Sequence, residues 1–315
     1  MKQYRLEELA PGALGPTLLT IGNFDGVHRG HQYILAQLRA AADKQHLPAV
    51  ALTFEPHPIK VLYPQKNLEM IMPFAERARL FDRYGIDVLL TVRFTPELAQ
   101  TPADEWVRAV LVELLTVKML YIGYDFSFGR GRDGDALHLK RLGQKYGFLV
   151  HQLPPEEEDG KPISSSRIRR LVAAGEVQKV EKLLGRPFHL RGEIVPGDGR
   201  GRGLGFPTAN LRTEWELLPH IGVYAAVAVV DGVPHPAAVN IGKNPTFNLE
   251  ELRIEAYLLD FSGDLHGKEM ALYFVNRLRD EIKFDSAAQL VEEMEKDIIK
   301  TRRLFDEKPP QTWLR

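Results

Sequence analysis

Gly22-Asn23-Phe24-Asp25-Gly26-Val27-His28-Arg29-Gly30-His31 lies between a β-rich run at 17–22 and a helical pattern, and the reading of that junction decides the fold. After it, Ile34, Leu35, Leu38, Ala41 and Ala42 recur on one face of an amphipathic helix. Further β-rich runs at 49–54, 88–94, 118–123 and 149–153 alternate with helical patterns, the signature of parallel βαβ units. One of these helices is expected to open at Thr101-Pro102-Ala103-Asp104, with Thr101 as N-cap and Pro102 in the first turn. An open parallel sheet with helices on both faces follows, and the ten-residue run then sits at the carboxyl end of a strand, where such sheets bind ligands.

Glycines in that position let backbone approach phosphate, and the following helix N-terminus offers unpaired N–H groups. His28 and His31 can both donate to phosphoryl oxygens there as charge develops. The same pair, taken alone, could bind a metal or simply be exposed in a glycine turn.

Outward from this junction, the 315 residues are about twice the ~150 typical of one domain. Hydrophobic residues at 44% and charged ones at 26% describe a folded globular chain rather than a disordered one. Lys+Arg 41 against Asp+Glu 42 leaves a net charge of -1 without long single-sign runs, which argues against nucleic acid as a partner. The absence of cysteine excludes disulfides, thiolate catalysis and Cys-ligated metal. The start MKQYRLEELA lacks an apolar signal core, and the longest uncharged apolar stretch, 221–230, is far below the ~20 residues of a membrane span. A cytoplasmic protein free of the membrane is expected.

The texture changes after Gly185-Arg186-Pro187, and the domains are drawn as 1–185 and 186–315. Leu252, Ile254, Ala256 and Leu258 alternate with Arg253, Glu255 and Tyr257 at strand period. Turn signals at Asp231-Gly232, Gly242-Lys243-Asn244-Pro245 and Ser262-Gly263-Asp264 separate such runs, so a small closed antiparallel barrel is expected. A terminal helix should begin at Ser286, boxed by Gln289, with Ala287, Leu290, Val291, Met294 and Ile298 as its buried stripe.

Ahead of the barrel's first full runs, glycines 197, 199, 201, 203 and 205 lead into Phe206-Pro207-Thr208-Ala209-Asn210. Alternate glycines expose N–H groups suited to phosphate, or form a plain linker. The order is not that of a Walker loop, because no Gly-Lys-Ser/Thr follows. Thr208 and Asn210 offer a hydroxyl and an amide oxygen, hard ligands suited to magnesium. By period alone Glu255 is as readily a solvent-facing strand acid as a base.

GNFDGVHRGH resembles the HxGH-type active site of nucleotidyltransferases, in the version carried by prokaryotic FAD synthetases. The resemblance places Gly22, Asn23, Phe24, Asp25, Gly30, Ser165, Ser166 and Arg169 at ATP, with His28 and His31 catalytic. Ser164-Ser165-Ser166-Arg167-Ile168-Arg169 is similar to that family's SSTxIR motif, with Ser166 where Thr is usual. Asp125, Phe126 and Phe128, in Gly123-Tyr124-Asp125-Phe126-Ser127-Phe128-Gly129, match its flavin-side loop. Phe54, Pro56 and Pro58 join them at the flavin, or else form a proline-stiffened turn.

GRGLGFPTAN, Gly222-Val223-Tyr224-Ala225 and the run at 240–247 resemble the riboflavin kinase module. That likeness implies Gly201, Gly203, Gly205, Thr208, Asn210 and Tyr224 at ATP, Thr208 and Asn210 at Mg2+, Glu255 as catalytic base and Arg279 at the flavin. Together the likenesses imply a bifunctional enzyme that converts riboflavin to FMN and FMN to FAD, with ATP as co-substrate. Its partners are then small molecules, with oligomeric state left open. A same-fold transferase for another phosphate would not need GRGLGFPTAN, and a flavin-binding regulator would not need Glu255.

Overall fold

The computed structural model describes residues 1–197, 203, 205–243 and 252–314. The chain packs as two compact units, Met1–Ser165 and Ser166–Arg315.

In the first unit, β1 (Lys2–Arg5), β2 (Thr17–Ile21), β3 (Ala49–Phe54), β4 (Val88–Val92), β5 (Val117–Ile122) and β6 (Leu149–Gln152) form a parallel sheet of order β1-β4-β3-β2-β5-β6. Every residue of β2 is buried, as expected where helices cover both faces. Helix α1 (Arg29–Gln45) follows β2 and buries Ile34, Leu35, Leu38 and Ala42. Two further helices, α2 (Pro58–Leu62) and α3 (Phe74–Arg83), lie between β3 and β4. A core of Leu19, Leu52, Leu90 and Leu120 from the strands packs with Trp106, Leu111, Leu139 and Leu142 from the helices.

The expected alternation holds, with two differences in this unit. The edge strand β1, Lys-Gln-Tyr-Arg, is largely exposed and is held by pairing with β4, so no apolar period marked it. Helix α4 (Ala103–Trp106) starts one residue later than its sequence signals suggest. Pro102 occupies the cap position without a side-chain hydrogen bond, so Thr101 is not the cap. The helix continues with π winding over Val107–Leu114. Helix α5 (Ala136–Tyr146) and the small antiparallel pair β7 (Glu157–Glu158) and β8 (Lys161–Pro162) complete the described elements.

Helix α6 (Ser165–Ala173) begins at the boundary, and α7 (Val177–Leu184) buries Val177, Val180, Leu183 and Leu184. Six antiparallel strands then close into a barrel of order β10-β13-β12-β11-β14-β9. They are β9 (Phe188–Val195), β10 (Ala209–Thr213), β11 (Gly222–Val230), β12 (Val233–Lys243), β13 (Leu252–Leu258) and β14 (Glu269–Arg279). By packing, α7 lies against β9 and β14. The change of texture at Gly185 therefore falls at the C-cap of α7, inside the second compact unit.

Ser286 caps α8 (Ala287–Glu307), accepting from the Gln289 amide at 3.3 Å. The Gln289 side chain reaches back to the amide of Asp285 rather than that of Ser286. The stripe expected on α8 is only half-buried at Leu290, Val291, Met294 and Ile298, and Ala287 is exposed. Its buried residues are Asp297, Thr301 and Phe305, farther along the helix, with Phe305 against Ala225, Val227 and Val275.

Candidate functional site

Three loops leave the carboxyl edge of the parallel sheet from neighbouring strands: 22–28 after β2, 55–57 after β3 and 123–129 after β5. The order reverses at β2, with β3 and β4 on one side and β5 and β6 on the other. This is the crevice where open α/β sheets take ligands.

The first loop is tightly specified. Phe24, Gly26 and Val27 have φ of 51°, 83° and 38°, a left-handed path that is strained for the two non-glycine residues. Gly26 also has no room for a side chain, since a Cβ would stand 2.9 Å from Ile71 Cδ1. The Asp25 carboxylate is 1% exposed and accepts the Ile71 amide through both oxygens, at 3.1 and 3.2 Å. Ser165 Oγ donates to the Asp25 carbonyl at 2.8 Å, and Gln32 Nε2 to the Val27 carbonyl at 2.8 Å. The Asn23 Oδ1 is buried with no hydrogen-bond partner among the described residues.

These bonds deliver His28 as the N-cap of α1, its Nδ1 accepting from the His31 amide at 3.4 Å. An Nδ1 that accepts leaves the ring proton on Nε2, so His28 can donate away from its own helix. The two imidazoles stack at 3.7 Å between centroids, and Phe24 meets His31 edge-on at 5.2 Å. Gly30 permits this approach, because a Cβ there would lie 3.3 Å from His28 Cε1 and Nδ1. The arrangement presents two imidazoles at the N-terminus of a helix, a donor array for phosphate oxygens.

Phe54 ends β3, meets Phe94 edge-on at 5.8 Å and leads into Glu55, Pro56, His57 and Pro58, the last opening α2. Phe126 and Phe128 stack at 5.7 Å, and Phe128 also packs beside Trp106, so both rings belong partly to the core. Asp125 is exposed at the same loop, and the neighbouring Tyr124 hydroxyl is pushed up by burial and by the Asp125 charge. Ser166 and Arg169 lie on α6 in the second compact unit.

In the barrel unit a cavity of about 1120 Å3 lies outside β10, β12 and β13, against Leu290, Met294 and Asp297 of α8. Glu255 stands directly opposite Asn210 on one side and Asn240 on the other. Cross-strand partners share a face, so the three side chains form one row in the cavity. Ile254 and Ala256 point the other way and are buried, at 3% and 0% exposure. Thr208, two residues before Asn210, lines the same space. Gly197 packs against the Asn210 amide closely enough that a Cβ would overlap it.

Arg279 also lines the cavity, with Nη2 2.8 Å from Asp297. Burial pushes the Asp297 carboxyl up, while the Arg279 guanidinium pulls it back. Gly203 and Gly205 have open space around them, and Gly201 lies outside the described residues. Tyr224 is not brought to the cavity: it is 0% exposed, its ring meets Phe274 edge-on, and its hydroxyl donates to the His220 carbonyl.

Asn240 lies in the run at 240–247 that resembles the kinase module but was given no role there, and Arg77 escaped the sequence reading altogether. The signal for Asn240 was its place between the buried Val239 and Ile241, which sets it on the outer face. Among the described residues no group of three or more His, Asp or Glu could hold a metal. Thr208 and Asn210 instead supply neutral oxygen donors beside one carboxylate, a set that fits magnesium shared with substrate phosphates.

Comparison with known proteins gives both units a relative. Residues 11–167 match the FAD synthetase family model, and residues 184–305 match the riboflavin kinase model. The bifunctional riboflavin kinase/FMN adenylyltransferase of Escherichia coli K12 is 37% identical over 289 residues, covering 91% of this chain and 92% of that protein. Its namesake in Pseudomonas fluorescens is 37% identical over 300 residues, covering 95% and 96%. A solved structure described as a macrolide-efflux protein from Streptococcus pneumoniae shares 33% identity and a TM-score of 0.88, covering 96% of this chain and 99% of that one. Efflux is said of that protein; no helix among the described residues here is long and apolar enough to cross a membrane.

Proposed function

The chain belongs to the bifunctional riboflavin kinase/FMN adenylyltransferase family, and from that premise we propose how its residues divide two reactions. It phosphorylates riboflavin with ATP to give FMN and ADP, then adenylylates FMN with a second ATP to give FAD and pyrophosphate. One observation carries the division of roles: His28 and His31 fall in one compact unit and Glu255 in the other.

In the kinase reaction Glu255 accepts the proton of riboflavin's terminal ribityl hydroxyl as that oxygen attacks the γ-phosphorus. Asn210 and Asn240 flank the carboxylate and orient it across the strands. Thr208 and Asn210 would hold magnesium, which when bound neutralises charge on the ATP phosphates. Gly201, Gly203 and Gly205 are assigned to ATP and Arg279 to the flavin, Gly201 lying outside the described residues.

In the adenylyl transfer the FMN phosphate is already anionic, so its oxygen attacks the α-phosphorus without a general base. His28 donates through Nε2, and His31 adds a second donor, to the oxygens that gain charge as pyrophosphate leaves. Gly22, Asn23, Phe24, Asp25 and Gly30 shape the nucleotide side, Asp25 through its grip on the Ile71 amide. Ser165, Ser166 and Arg169 are assigned to ATP phosphates. Phe54, Pro56, Pro58, Asp125, Phe126 and Phe128 are assigned to the flavin.

Incubating the purified protein with riboflavin, ATP and magnesium, and separating flavins over time, tests the whole reading. FMN should appear first and FAD after it; FMN accumulating without FAD would leave the kinase assignment alone.

We further place the protein in the cytoplasm and the functional boundary near Gly185. Residues 186–315 should phosphorylate riboflavin, while 166–315 should be markedly more stable. The longer fragment keeps the four buried apolar side chains of α7, each worth about 1.5–3 kcal/mol when fully buried. A folded 186–315 fragment that binds ATP and riboflavin but makes no FMN would move the boundary.

A further inference from the structure

Arg77, on α3, is 1% exposed, and none of the chemistry above uses it. Its Nη1 donates to the Asn23 carbonyl at 2.8 Å, and its Nη2 is paired with the Glu55 carboxylate. Thr53 Oγ1 donates to the same Asn23 carbonyl at 3.3 Å, and the guanidinium lies 5.3 Å from the centre of the Phe74 ring. Arg77 Nε is buried without a hydrogen-bond partner among the described residues.

Stability alone does not favour this arrangement. Burying a guanidinium costs solvation, and apolar residues of similar volume often serve a core as well or better. The partners say what the charge does. Asn23 starts the left-handed path through Phe24, Gly26 and Val27 that delivers His28. Strained backbone of this kind persists only where its surroundings over-determine it. Glu55 lies between Phe54 and Pro56 on the loop assigned to the flavin. One planar fork therefore grips the nucleotide-side loop with one arm and the flavin-side loop with the other.

We propose that Arg77 is a positioning residue for adenylyl transfer, fixing the loop that carries His28 against the loop that carries Glu55. The proposal rests on the assignment of His28 and His31 to that reaction. A lysine is a point charge on a flexible stem and can serve one of the two partners but not both in a fixed fork. Glutamine at position 55 keeps an acceptor but removes the charge.

The test uses full-length Arg77→Lys and Glu55→Gln, with riboflavin phosphorylation on the same preparation as the reference for folded enzyme. Both variants should lose about tenfold or more in kcat for FAD formation, since small displacements of reacting groups carry such penalties. KM for ATP and FMN should move much less, and phosphorylation should hold. The Glu55 side chain is 43% exposed, so its variant should fold and decides alone if the lysine variant does not. A purely structural Arg77 would lower stability but leave kcat of the folded fraction at the wild-type value, which overturns the proposal. Amide exchange across 23–28 reads the loop itself, independently of turnover: it should quicken in both variants, and unchanged exchange would sink the idea. Wild-type enzyme that makes no FAD would instead strike the assignment of the first site.

Discussion

The two sites use β structure in opposite ways. In the parallel sheet β2 is covered on both faces, so no side chain on it is left for chemistry; His28 sits at the end of the loop beyond it and His31 in the first turn of α1. In the barrel each strand has an inner and an outer face, so Asn210, Asn240 and Glu255 line the cavity from the strands themselves. A loop site needs backbone restraints to hold its shape, and 22–28 has them at Asn23, Asp25 and Val27. A strand site inherits its geometry from the hydrogen-bonded register.

The comparison breaks hardest at Glu255. Glu255→Gln keeps size and a carbonyl acceptor but cannot take a proton, so FMN formation should fall by about 10² to 10⁴. Ile254 and Ala256 keep the barrel side filled, so folding should survive. FAD formation from supplied FMN should be unchanged, and the deficit should appear in kcat rather than riboflavin KM. Phosphorylation at the wild-type rate would make Glu255 a strand acid and turn attention to Glu281 in the same cavity.

Next in size is the loop site. His28→Ala or His31→Ala removes a donor used mainly in the transition state, so adenylylation should drop by about 10² to 10³. Riboflavin phosphorylation by the same preparation should be untouched. Equal loss of both activities in folded protein would mean that the sites do not divide as proposed.

A smaller change sharpens the point about restraint. Gly30→Ala would put a Cβ 3.3 Å from the His28 ring, which must yield by a few tenths of an ångström. The ring is also held by stacking on His31, so the shift should cost adenylylation about tenfold with little effect on stability. Wild-type turnover would show that this loop is less exacting than its bonds suggest.

The same contrast explains what the sequence makes legible. The loop site is one contiguous run, so GNFDGVHRGH carried its own location, with a strand pattern before it and a helix pattern after it. The barrel site is assembled by pairing: Glu255 was legible within its strand, but its neighbour Asn240 depends on a register that no local pattern states. Arg77 was invisible because an arginine on an amphipathic helix normally faces water, and only the fold gives it buried partners. On α8 the first turns border the cavity and are half-buried, which displaced the true buried stripe toward Phe305. In Gly222-Val223-Tyr224-Ala225 every residue is buried, so alternation could not say which faces the interior.

Tyr224 therefore provides the last test, and the smallest effect. Its ring lies inside the barrel against Phe274, and burial, more than the opposing pull of Arg277, holds its hydroxyl above the usual tyrosine range, so it stays a neutral donor. In Tyr224→Phe the ring remains and the bond to the His220 carbonyl is lost. One such bond is worth about 1 kcal/mol, so the melting temperature of the barrel should fall by a few degrees. If the interior placement governs, KM for ATP in riboflavin phosphorylation should stay at the wild-type value. A several-fold rise in that KM, with an unchanged melting temperature, would return the hydroxyl to the nucleotide.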